Sequence, residues 1–151
     1  MDPIRKAELK DVSRIAEILI FTKRTQYRPI FNDDQVSFGE MQVLPTAREY
    51  LDHPEKLEGI WVYDEGFVKG LIHVEGDWIE ELYVDPFFQG EGIGGKLMTV
   101  AIETFGAQSL WVLEKNESAL GFYRAKGFSP SGERELEEGT PEYKLRMVRG
   151  G

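Results

Sequence analysis

The 151-residue chain has no cysteine, two histidines and a formal charge of −9, with 41% hydrophobic, 12% aromatic and 30% charged residues. That is the length of one ordinary domain, large enough to bury about two thirds of its unfolded surface without staples. Disulfides and a cysteine-linked intermediate are excluded, no metal site is expected from His53 and His73 far apart, and an acidic chain without clustered Lys or Arg does not suit nucleic-acid phosphates.

In chain order, "IRKA" (Ile4 to Ala7) reads as a first strand. From Val12, the residues Ile15, Ala16, Leu19 and Thr22 share one face at helical spacing, with Asp11 as candidate N-cap. Gln26 to Leu44 has no clean period and reads as an irregular connection, with a helical turn after Asn32 to Asp34. Pro45 opens a short helix through Leu51. Three apolar runs follow, Ile60 to Tyr63, Val68 to Val74 and Trp78 to Val84, and their short separators predict an antiparallel meander. Ile93, Leu97, Val100, Ala101 and Phe105 predict a helix from about Gly92 to Phe105, and "SLWVL" (Ser109 to Leu113) a buried strand parallel to its predecessor. Ser118 is a candidate cap for a helix carrying Leu120, Phe122 and Tyr123, stopped by Gly127. The acidic run "GERELEEGTPE" (Gly132 to Glu142) reads as a solvated loop, and "YKLRMV" (Tyr143 to Val148) as a closing strand. The pattern is α+β, a mixed sheet with helices on both faces, in a single domain over residues 1–151. No apolar run nears the ~20 residues that span a bilayer, and "MDPIRKAELKD" lacks the apolar core of a secretion signal, which points to the cytoplasm and no membrane partner.

The chemistry concentrates in "VDPFFQGEGIGG" (Val84 to Gly95). A strand, a glycine-rich turn and a helix start together expose unpaired N–H groups and the positive end of the helix dipole, an arrangement suited to phosphate. Gly90, Gly92 and Gly95 also satisfy the dinucleotide pattern G-x-G-x-x-G, with Glu114 near the position of a ribose-binding acid. "DPFFQ" intervenes between strand and first glycine, however, and too little chain follows Leu113 to complete a doubly wound sheet.

"QGEGIG" (Gln89 to Gly94) resembles the (Arg/Gln)-x-x-Gly-x-(Gly/Ala) pyrophosphate motif of the GNAT superfamily of acetyl-CoA-dependent N-acetyltransferases, and "NESALGFYRAKGF" (Asn116 to Phe128) resembles its second signature. The resemblance runs from about Trp78 to Phe128. It implies a mostly antiparallel GNAT-like sheet with a splayed cofactor cleft. It also implies acetyl-CoA as cosubstrate, with its pyrophosphate on the backbone of Gln89, Gly90, Glu91, Gly92, Ile93, Gly94 and Gly95. The pantetheine arm would pair with Leu82, Tyr83 and Val84, and Asn116 would touch the cofactor or else mark the helix entry. Tyr123 corresponds to the family's general acid at the thiolate. A protonated amine must lose a proton before attack, and Glu80 and Glu81 are the candidate bases, with Glu81 preferred. The resemblance implies a small-molecule or peptide amine as acceptor. Tyr27, Phe31 and Phe38 are candidate pocket aromatics and Asp33 and Asp34 candidate partners for its charge; lid packing and an N-cap are the preferred account of them. A homodimer is compatible with the resemblance. The rival reading is a noncatalytic acyl-CoA-binding or sensing module.

Overall fold

The computed structural model describes residues 3–31 and 43–149, with side chains for all of these except residues 23–31, 43 and 44. Seven strands form one open sheet in the order β1-β2-β3-β4-β5-β7-β6. They are β1 (Ile4–Lys6), β2 (Ile60–Asp64), β3 (Val68–Glu75), β4 (Trp78–Val84), β5 (Ser109–Leu113), β6 (Phe128–Leu136) and β7 (Tyr143–Arg149). The helices are α1 (Val12–Phe31), α2 (Val43–Asp52), α3 (Ile93–Phe105) and α4 (Glu117–Ala125). Every ladder is antiparallel except β4–β5, which is parallel, as the β4–α3–β5 crossover requires.

Strand alternation gives the sheet two apolar faces, and each is covered by helices. Ile93, Leu97, Met98 and Ala101 of α3 and Leu120 of α4 pack on Ile72, Ile79, Leu110 and Val112. Across the sheet, Ile15, Ile18 and Leu19 of α1 and Ala47 of α2 pack on Val62, Leu71 and Tyr83. Gly70 on β3 fixes how closely α3 approaches. A Cβ there would lie 3.0 Å from Tyr83 O and 3.2 Å from Ile93 Cγ2, so the first turn of α3 rests directly on bare backbone.

Several sequence expectations need correction. α1 continues through Phe31, so Gln26 to Phe31 is helical and not an irregular connection. Asp11 does not cap α1; it ends the 3₁₀ turn Leu9–Asp11 and accepts from Glu8 N at 2.8 Å. It also takes a bidentate pair from Arg5 at 2.8 and 2.9 Å, while Arg5 reaches Asp64 at 2.9 Å. The Arg5 hydrogen bond holds the nearly buried Asp11 carboxyl below the usual carboxylate range. Asn116, not Ser118, caps α4, its Oδ1 accepting from Ala119 N at 3.2 Å. Gly132 to Leu136, placed in the acidic loop, belong to β6. Their side chains are exposed, so the edge strand has no apolar alternation to betray it. Its ladder to β7 is reinforced by Arg146–Glu133 at 2.7 Å and Lys144–Glu135 at 3.4 Å. Among the described residues no helix is long and apolar enough to cross a membrane.

Candidate active site

β4 and β5 are joined only at Trp78–Ser109 and Ile79–Leu110 among the described residues. Beyond these pairs the strands diverge, and the β5-facing backbone groups of β4 lose their ladder partners. Two cavities occupy the divergence. One, about 210 Å3, is lined by Glu80 to Tyr83, Leu110 to Leu113, Glu137 and Lys144. The second, about 440 Å3, runs past Leu82, Val84 and Phe88 to Gln89, Gly90 and Gly92 to Gly95. Leu82, Asn116, Ala119 and Tyr123 line both, so the cavities form one trough from the strand gap to the glycine turn.

The turn is pinned at its start. Asp85 is buried; its carboxylate accepts from Phe87 N at 2.8 Å and is ion-paired with Arg14 of α1. Gln89 Nε2 folds back onto Val84 O at 3.1 Å. Gly90 and Gly92 have φ of +89° and +82°, the left-handed region that side chains with a Cβ resist. The first intrahelical bond of α3 is Lys96 N to Gly92 O, 3.1 Å, so the N–H groups of Ile93, Gly94 and Gly95 precede the helical ladder. Added Cβ atoms would lie 3.7 Å from Phe122 Cζ at Gly94 and 3.2 Å from Lys126 Nζ at Gly95. Lys126 and Lys96 flank this turn, and neither has a carboxylate partner among the described residues. Ile93 buries its side chain in the core, and Glu91 is exposed outside the trough lining.

The β3–β4 register decides how the two glutamates differ. Ile72 faces Leu82 and His73 faces Glu81, but Val74 faces Ile79, which leaves Glu80 as the extra residue of a bulge. The bulge resets the alternation. Ile79, Leu82 and Val84 pack toward α3 and α4, whereas Tyr83 belongs to the α1–α2 core. Glu81, two residues from Tyr83, shares that second face, and its charge reaches Tyr50 on α2. Burial first, and the Glu81 charge second, push the Tyr50 phenol up to about 12. Tyr123 approaches from the α4 side, its ring 5.4 Å from Phe122 and 6.2 Å from Phe128. Asp33, Asp34 and Phe38 lie outside the described residues, as do the side chains of Tyr27 and Phe31.

Lys144, Arg14 and Asp85 have no site reading in the sequence. Asp85 had a signal, an Asp immediately before Pro at a strand end, which is turn chemistry. The others come from distant segments and carry no motif.

A model of the acetyltransferase (GNAT) domain family matches residues 56–130, the meander, the glycine turn, α3 and α4 together. The chain belongs to the GNAT superfamily. Within it, the peptidyl-lysine N-acetyltransferase YjaB of Salmonella typhimurium is 30% identical over 96 residues, 63% of this chain and 66% of that protein. The chain spans between 30% and 66% of the length of the curated relatives it matches. The apo-form YjaB structure from Escherichia coli superposes with a TM-score of 0.71 at 24% identity, covering 98% of this chain and 97% of that one. The yncA structure from Salmonella typhimurium, described as a putative acetyltransferase with acetyl-CoA, gives a TM-score of 0.67 at 19% identity, covering 96% of this chain and 91% of the other. These structural likenesses establish the GNAT fold: a mixed, mostly antiparallel open sheet with helices on both faces.

Proposed function

We propose that this GNAT domain transfers the acetyl group of acetyl-CoA to a primary amine by direct attack in a ternary complex. The continuous trough carries the reading: it leads from an anion-suited helix start, along an open strand edge, to a phenol and a glutamate.

In this reading the N–H groups from Gln89 to Gly95 hold the pyrophosphate, with Lys96 and Lys126 adding positive charge in an otherwise acidic chain. The unladdered edge of Leu82 to Val84 pairs with the pantetheine amides as a neighbouring strand would. Asn116, whose side chain caps α4, contributes position more than a separate contact. The acceptor enters from the α1–α2 side. Glu81 takes the ammonium proton, directly or through water, and the freed lone pair attacks the thioester carbon. As the tetrahedral intermediate collapses the C–S bond breaks, the C–N bond remains, and the new amide nitrogen sheds its second proton to solvent. Tyr123 gives its proton to the departing thiolate and regains one from solvent. Glu80, on the bulge, is exposed and takes no step. The name of the YjaB relative supports a peptide lysine as first acceptor to try.

The test is free-thiol release from acetyl-CoA with a panel of lysine peptides, N-terminal peptides and small amines. Amine-dependent release is the expected result. Tight uptake of acetyl-CoA with no release for any amine would instead establish an acyl-CoA-sensing module.

A further inference from the structure

Thr22 is 1% exposed, and its Oγ1 finds no hydrogen-bond partner among the described residues. Buried hydroxyls are normally satisfied, because an unpaired one has given up its hydration and gained nothing in exchange. The position is also unusual in direction. Thr22 continues the α1 stripe that packs on the α1–α2 face of the sheet, yet it lines the 440 Å3 cavity together with Leu82, Val84, Asn116 and Tyr123. It can do so because, among the described residues, β4 has no partner on β5 beyond Ile79, so the cavity opens past that strand edge toward α1.

We propose that the Thr22 hydroxyl is a binding group for the donor, hydrogen-bonded to a polar group of the pantetheine arm as that arm passes the open edge of β4. This rests on the functional reading above and adds to it a contact from the opposite side of the sheet. A hydroxyl suits this place because it both donates and accepts, and the arm presents amide N–H, amide carbonyl and hydroxyl groups in succession. Thr22 therefore helps set the depth at which the thioester stops, between Tyr123 and Glu81. It is a positioning residue and takes no proton in the reaction.

Calorimetric titration of CoA, and of 3′-phospho-ADP, which lacks the pantetheine arm, into wild type, Thr22→Val and Thr22→Ser tests the assignment. Valine keeps the shape and removes the hydroxyl; serine keeps the hydroxyl. Thr22→Val is expected to bind CoA about five- to tenfold more weakly. It should bind 3′-phospho-ADP as wild type does, with Thr22→Ser near wild type for both. The apo melting temperature of Thr22→Val should be unchanged or higher, since an unsatisfied buried hydroxyl is gone. An unchanged CoA constant in Thr22→Val, or an equal loss for 3′-phospho-ADP, overturns the assignment alone. Failure of the wild type to take up CoA at all overturns the functional reading and the assignment with it.

Discussion

Glu81 on β4 and Tyr50 on α2 are electrostatically coupled across the α1–α2 face, where burial and the Glu81 charge together keep the phenol neutral to about pH 12. The β3–β4 register places Glu81 on the Tyr83 face of the sheet and leaves Glu80 exposed on the bulge. Glu81→Gln is therefore expected to lower turnover by about 10²–10³-fold with donor affinity unchanged, while Glu80→Gln stays within a few-fold of wild type. Steady-state kinetics with acetyl-CoA binding measured alongside decide this; equal losses in both variants would remove the distinction. Ultraviolet titration near 295 nm provides a second check. A phase near pH 12 should vanish in Tyr50→Phe and move to lower pH in Glu81→Gln.

Tyr123 lines both halves of the trough, so removing only its hydroxyl separates chemistry from packing. Tyr123→Phe should reduce kcat by about a hundredfold, with little change in acetyl-CoA affinity and in melting temperature. A variant with full kcat would rule out proton donation by this phenol.

Gly92 sits at φ +82° directly ahead of α3, in space where an added Cβ meets nothing within 4 Å. Its requirement is backbone conformation, not room. Gly92→Ala is expected to cost about 1–2 kcal/mol of stability and to weaken CoA binding as the turn shifts. Denaturant midpoints and calorimetry measure the two effects, and a variant equal to wild type in both would free the turn from this role.

Asp11 and Arg5 tie the start of α1 to the β1–β2 edge. The native Asp11 carboxyl ionises below its unfolded value of about 4, so its contribution is full above that value and fades as pH falls toward the depressed native value. Asp11→Asn should destabilise by about 2 kcal/mol at pH 7, a figure reduced because Arg5 is about a quarter exposed. The gap between variant and wild type should shrink as pH falls below about 4. Urea titrations at pH 7 and pH 3 check it, and a gap that widens in acid would reverse the sign.

Much of the site was legible because it is local. The meander, the glycine turn and α3 follow one another in sequence, and each carries its own period or turn chemistry. The Glu80 bulge is different: it lies in pairing with β3, and nothing in "WIEELYV" marks which residue is extra. β6 escaped notice because an exposed edge strand of charged residues has no buried face, and its partner β7 supplies the order. Thr22 read as one more helix-face position, and only the divergence of β4 from β5 brings it to the trough.

That divergence has a mechanical side. The four-strand half and the three-strand half of the sheet meet, among the described backbone pairs, at a two-residue seam, backed by the Trp78 and Trp111 rings stacked with centroids 6.3 Å apart. The walls of the trough are thus tied to each other by strand pairing at one end only. Trp111 also lines the trough, so shaving it would remove part of a wall together with the stacking that backs the seam.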